Sequence, residues 1–94
     1  LGIAWVSPTV FVAGSGEKLV TITLDDAYDP PEQVQFTRVA IGNIDATRWS
    51  RTGLTVLAWF DIPAQLHNGR FGLTITFPSR DGEPITFGYP VDVL

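Results

Sequence analysis

The sequence predicts an all-β fold in which about seven short strands form two antiparallel sheets packed as a sandwich. Apolar and polar residues alternate with period two, as where Val20, Ile22 and Leu24 are separated by Thr21 and Thr23. No stretch of about eleven residues carries an apolar stripe at helical spacing. Turn residues separate the alternating segments, and two facing sheets would bury the apolar face of each.

The first half of the chain predicts three strands. Residues 3–12 are predicted to form one strand that Pro8 splits in two. Proline has no N–H to donate to a neighbouring strand, so it is found at a sheet edge or at a break in a strand. A turn at residues 14–16 leads to a half-buried strand at residues 18–25. Residues 25–33 hold two prolines and several acids and predict a solvated loop. A further strand at residues 34–41 ends at the turn signal Gly42-Asn43.

The second half begins with residues 44–50, which predict either a short strand or an irregular crossover. Residues 54–62 predict a strand that stops at Pro63. Two more alternating segments flank a turn at residues 78–83 and predict a terminal hairpin. Its apolar face would hold Phe71, Leu73, Ile75, Phe77, Ile85, Phe87, Tyr89, Val91 and Val93.

Composition limits the classes of function. The chain has 94 residues, of which 45% are hydrophobic and 17% charged, so residues 1–94 are expected to form one domain. The net charge is −4 and the basic residues are scattered, which argues against a nucleic-acid partner. No apolar run approaches the ~20 residues that span a bilayer, so no membrane insertion is expected. The chain begins at Leu1 and lacks Met and Cys, and we expect it to be a segment of a longer polypeptide.

Catalysis and metal binding have weak candidates. His67 is the single histidine, and no Gly-x-Ser-x-Gly nucleophile motif accompanies it, so no catalytic residue, enzyme activity or cofactor is predicted. The acids of the proline-containing loop could supply oxygen ligands to Ca²⁺, but their spacing matches no EF-hand, and a solvated loop is the favoured interpretation. These weak calcium candidates are Asp25, Asp26, Asp29 and Glu32.

Aromatic side chains are the candidates for ligand contact. Aromatic rings stack on the C–H faces of sugars, and the residues available are Trp5, Trp49, Trp59, Tyr28 and Tyr89. The competing interpretation places at least one tryptophan in the core or at a domain junction. Arg48 and Arg51 flank Trp49 and could bind carboxylates or stack on a ring, although solvated arginines are the simpler expectation.

Several segments together resemble the IPT/TIG group of immunoglobulin-like domains. They are Ser7-Pro8, the Gly14-Ser15-Gly16 turn, Val20-Thr21-Ile22-Thr23, Val39-Ala40-Ile41-Gly42, the strand from Val56 to Ile62-Pro63, and Gly69 with the closing hairpin. The resemblance implies an immunoglobulin-like β-sandwich and a non-catalytic spacer or interaction module of a bacterial extracellular or cell-surface protein. It carries no shared catalytic residues.

One strand departs from the pattern of that group. Its outward positions are usually polar in such modules but here are Leu57 and Trp59. We therefore expect domain positioning or protein–protein contacts through Leu57 and Trp59, with Trp49, Arg48 and Arg51 as further binding candidates. The alternative is a carbohydrate-binding module in which Trp5, Trp49 and Trp59 form a stacking platform. That alternative requires at least two of the rings on one exposed sheet face.

Overall fold

A computed structural model of the chain describes residues 2–25, 38–77 and 84–94. These residues form nine strands and no helix, and hence no helix that could cross a membrane. The all-β prediction is confirmed, and two strands of only two residues each account for the excess over the expected seven. The strands are β1 (Gly2–Ser7), β2 (Val10–Phe11), β3 (Gly16–Asp25), β4 (Arg38–Ile41), β5 (Ile44–Asp45), β6 (Arg48–Thr52), β7 (Thr55–Ile62), β8 (Gly69–Phe77) and β9 (Ile85–Val93).

The strands are arranged in two sheets. The first has four strands in the order β1-β3-β7-β6, and the second has five in the order β2-β9-β8-β4-β5. Every neighbouring pair is antiparallel except β2 and β9, which are parallel. The predicted terminal hairpin is confirmed, since β8 pairs with β9 from Gly69 opposite Val93 to Phe77 opposite Ile85.

Pro8 separates β1 from β2, in agreement with the prediction that this proline splits the first strand. β1 pairs with β3 in the four-stranded sheet, whereas β2 pairs with β9 in the five-stranded sheet. The backbone N–H of Leu94 donates to the carbonyl of Phe11 at 2.8 Å, which holds the second half of the split strand against β9. The chain therefore changes sheets at the residue that has no N–H to contribute to either ladder.

The core lies between the inward faces of the two sheets. Phe60 is the largest fully buried side chain, and no polar or charged residue is buried in the described part of the chain. Burial of each large apolar side chain contributes about 1.5–3 kcal/mol. The packed cluster contains Val6, Phe11, Val20, Ile22, Leu24, Val39, Ile41, Val56, Ala58, Phe60, Ile62, Leu73, Ile75, Phe77 and Val91.

The structure contains both of the alternatives that the sequence left open for residues 44–50, and the strand there, β6, continues to Thr52. β5 pairs with β4 in the five-stranded sheet, and the chain then crosses to the four-stranded sheet, where β6 pairs with β7. Two hydrogen bonds mark the crossing, from the N–H of Ala46 to the carbonyl of Val39 at 2.9 Å and from the N–H of Thr47 to the carbonyl of Trp59 at 2.7 Å. A two-residue turn then begins with Gly53, whose φ of 61° suits a tight hairpin.

Candidate binding surface on the four-stranded sheet

The side of the four-stranded sheet that faces away from the core is called here the outer face. Residues directly opposite each other in an antiparallel ladder share a face, so the register defines its rows. One row runs through Leu19, Trp59 and Arg48, the next through Ser7, Thr21, Leu57 and Ser50, and the third through Trp5, Thr23, Thr55 and Thr52.

Two predicted site residues, Leu57 and Trp59, lie on this outer face. They alternate along β7 with the buried residues Val56, Ala58 and Phe60, and both are half-buried. Leu19 lies directly opposite Trp59 and is 47% exposed. Exposed apolar side chains that adjoin one another typically indicate an interaction surface, whereas single ones are ordinary. Leu19, Leu57 and Trp59 therefore form a continuous apolar centre.

Arg48 lies across Trp59. Its guanidinium carbon is 4.3 Å from the centre of an indole ring, within the range of a cation–π contact. One guanidinium nitrogen, Nη2, also lies 3.6 Å from a carboxylate oxygen of Glu17 on β3. The Arg48 side chain thus extends from the edge strand β6 over the Trp59 indole on β7 to Glu17 on β3. This position explains why Trp59 is only partly exposed.

Trp5 lies on the outer face but away from this centre. It is 53% exposed and opposite Thr23, whereas Trp59 is opposite Leu19. The positions of Trp5 and Trp59 differ by four residues along the strand direction and by two strands across the sheet. At ~3.3 Å per residue and ~4.8 Å per strand, this corresponds to a distance of about 16 Å. Two of the three tryptophans therefore share a face without adjoining each other.

Trp49 and Arg51 lie on the opposite side of β6. Trp49 is opposite buried Ala58 and Arg51 is opposite buried Val56, so both lie on the core-facing side of the four-stranded sheet. Trp49 lines a cleft of about 310 Å³ together with Arg38, Val39, Asp45 and Ala46. The Nε of Arg51 donates to the carbonyl of Gly53 at 2.9 Å. The five residues predicted to form one binding site thus divide between two surfaces.

The remaining candidates do not form a site. His67 is exposed, with its ring centre 5.4 Å from that of Phe71 on β8. Asp25 ends β3, whereas Asp26, Tyr28, Asp29 and Glu32 lie outside the described residues. Within the described ranges, no three His, Asp or Glu side chains are grouped so that they could hold a metal ion.

Sequence reasoning missed Leu19 and Glu17 as parts of the surface. Both share the odd-numbered positions of β3 that face away from buried Val20 and Ile22, and that pattern was visible in the sequence. The pairing of Leu19 with Trp59, and hence their common surface, required the register between β3 and β7. No protein-family model matches the chain, and no curated protein matches it either.

Proposed function

We propose that this chain is a non-catalytic interaction module of a larger extracellular or cell-surface protein, and that its outer face docks against a protein surface. The observation that carries the proposal is the apolar centre formed by Leu19, Leu57 and Trp59 on a sheet face that does not contribute to the core. The extracellular location, the bacterial source and the membership of the IPT/TIG group rest on the resemblance in sequence.

The strand order supports an immunoglobulin-like sandwich as the finer description of the fold. The order β1-β3-β7-β6 corresponds to strands A, B, E and D of such domains. In the other sheet, β9-β8-β4 corresponds to strands G, F and C, with β5 in the place of C′. Domains of this architecture present sheet faces and loops to partners, which agrees with an interaction role.

The charge distribution of the outer face favours a protein partner. Its three rows hold Arg48 as their single charged side chain, and Glu17 and Asp61 lie opposite each other just beyond the row of Leu19. The centres of protein interfaces are poor in charged residues and rich in aromatic ones and arginine, which matches this composition.

The size of the outer face indicates what kind of contact it can make. Four strands at ~4.8 Å and about six residues at ~3.3 Å give a flat area of about 400 Å². A stable complex usually buries about 800 Å² per partner, whereas contacts between domains of one chain extend to smaller areas. The face therefore suits a tethered neighbouring domain or a transient partner.

Carbohydrate stacking is the less favoured use of this face. A sugar ring would need an open face of an indole, but the Arg48 guanidinium covers that of Trp59. Trp5 is open to solvent but stands alone among threonines and serines. A platform would require Arg48 to move away, which would cost its contacts with Trp59 and Glu17.

The test places a cross-linking group in the protein as its source cell expresses it. A photoactivatable amino acid at position 57 is expected to cross-link to one defined protein surface, mapped by mass spectrometry, whereas the same group at exposed position 86 of the other sheet is not. Leu57→Asp should weaken the mapped contact about fivefold or more, since removing a central apolar residue costs more than about 1 kcal/mol. Thr86→Asp should leave it unchanged.

Two results would overturn the proposal. Equal cross-linking from positions 57 and 86 would show that the outer face has no preferred partner. A saturable change in tryptophan fluorescence with a polysaccharide, lost in Trp59→Ala but retained in Thr86→Asp, would instead establish a carbohydrate-binding module.

A further inference from the structure

The strand β2 forms one edge of the five-stranded sheet and pairs there with β9 alone among the described strands. In such a ladder, alternate residues direct their N–H and C=O groups toward the partner strand, and the residues between them direct these groups away. The carbonyls of Thr9 and Phe11 each accept a bond of 2.8 Å from residues in or just after β9, and the N–H of Ala13 donates a bond of 3.0 Å just after β9. Val10 and Val12 therefore direct their backbone groups away from β9.

Most of these outward groups are open to a partner strand. The Val12 carbonyl accepts a hydrogen bond from the N–H of Ser15 at 3.1 Å. Within the described residues, the N–H and C=O of Val10 and the N–H of Val12 have no partner. Pro8 comes two residues before Val10, so the same alternation directs its carbonyl to this side, and it has no N–H. Unpaired groups on a sheet edge are a template for another strand.

The side chains beside these groups are apolar. Val10 is 48% exposed and Val12 is 56% exposed, and they flank buried Phe11, so both lie on the side of the sheet that faces away from the core. Proteins commonly protect an edge with charged side chains, but residues 1–16 contain no Asp, Glu, Lys or Arg. A strand that adds to this edge thus meets exposed valines and no charge.

Residues 8–12 are complementary to a second copy of themselves. When two copies run antiparallel about a two-fold axis at Val10, that residue lies opposite its own copy, and Val12 lies opposite Pro8 of the other copy. The two Val10 residues then exchange two hydrogen bonds, and each Val12 N–H donates to a Pro8 carbonyl. Pro8 has no N–H to return, but the Val12 carbonyl that would accept it is already bonded to Ser15. Each free group is therefore used once, and the missing N–H of the proline costs nothing in this register.

We infer that two copies of this chain associate by antiparallel pairing of residues 8–12 about Val10, which joins their five-stranded sheets into one sheet of ten strands. A contact of a few residues per copy buries much less than the ~800 Å² per partner of a stable complex, so this dimer is weak. The inference goes beyond the proposed function and does not depend on it, because Leu57 and Trp59 belong to the other sheet.

The test exploits the position of Val10 on the two-fold axis. Val10 is exposed, so Val10→Lys and Val10→Asp should both fold. Each variant alone places two like charges directly opposite each other in the dimer, and at low salt we expect its dimer dissociation constant to rise about fivefold or more. An equimolar mixture of the two variants pairs opposite charges and should associate about fivefold more tightly than either variant alone.

Thr86→Lys and Thr86→Asp are the matched controls, since they change the net charge of the chain by the same amounts. Thr86 is exposed on the same sheet, and it lies six residues along β9 from Asp92, which pairs with Val10. At ~3.3 Å per residue, this separation is about 20 Å. The dissociation constant of these variants, alone or mixed, should therefore equal that of the wild-type protein.

Sedimentation equilibrium from about 10 μM to about 1 mM covers the range in which weak contacts dissociate. Amide exchange should in addition show the N–H groups of Val10 and Val12 gaining protection as the concentration rises. The N–H of Leu94, which is bonded to the Phe11 carbonyl within one copy, should be protected at every concentration.

Three results would overturn the inference. They are a wild-type protein that stays monomeric up to about 1 mM, a mixture of Val10→Lys and Val10→Asp that associates no more tightly than either variant alone, and a dimer in which the amides of Val10 and Val12 gain no protection. Leu57→Asp should leave the dimer intact, and Val10→Lys should leave the cross-link from position 57 intact. These two variants separate a failure of this inference from a failure of the proposed function.

Discussion

Replacing Gly42 with alanine is expected to destabilise the protein by about 2–3 kcal/mol. Gly42 has a φ of 56°, a left-handed conformation that costs an L-residue about 1–2 kcal/mol. An added Cβ would also lie 3.0 Å from Cδ1 of Phe71, and overpacking of this kind costs about 1–3 kcal/mol. The lower entropy of the unfolded alanine chain offsets about 0.4–1 kcal/mol of the total.

Gly53→Ala is the matched control for this prediction. Gly53 has a similar φ of 61°, but nothing lies within 4 Å of the added Cβ. Gly53→Ala should therefore lower the free energy of unfolding only by the conformational cost. This cost is about 1 kcal/mol after the lower entropy of the unfolded alanine chain is taken into account. The difference between the two variants isolates the contact with the Phe71 ring.

Urea unfolding followed by tryptophan fluorescence measures the loss of unfolding free energy in both variants, provided that the dependence of this free energy on urea concentration is the same in each. In a Phe71→Ala background the ring is absent, and Gly42→Ala should then cost no more than Gly53→Ala. Equal losses in the wild-type background would refute the reasoning, because the Phe71 ring would then make no measurable contribution.

Two further predictions concern the core and the outer face. Phe60→Ala should lower the free energy of unfolding by about 3–5 kcal/mol, because Phe60 is fully buried, and a loss below about 1 kcal/mol in urea unfolding would contradict its place in the core. Arg48→Ala should cost less than about 1 kcal/mol, because both partners of its ion pair are more than half exposed. The same variant should increase acrylamide quenching of Trp59, measured in a protein whose other tryptophans are replaced by phenylalanine, whereas unchanged quenching would show that Arg48 does not cover the indole.

Much of the candidate surface could be predicted because strand alternation is a local property. Leu57 and Trp59 occupy alternate positions on β7, so the sequence alone placed both on the face opposite Val56 and Phe60. Adjacency to Trp49 in the sequence identified Arg48 as a possible partner of a ring. It could not identify which ring, since Arg48 adjoins Trp49 in sequence but stacks on Trp59 across the ladder.

The sequence by itself determined the all-β class, the split of the first strand at Pro8, the inward face of β3 and β7, and the terminal hairpin. All of these follow from period-two alternation or from the backbone preferences of proline and glycine, which act within a few residues. Only the tertiary structure decided that the chain crosses between sheets after β5, because a short polar segment is compatible with either sheet. It also separated Trp49 from Trp59 and joined Leu19 to the apolar centre, since register between distant strands depends on the packing of the whole core.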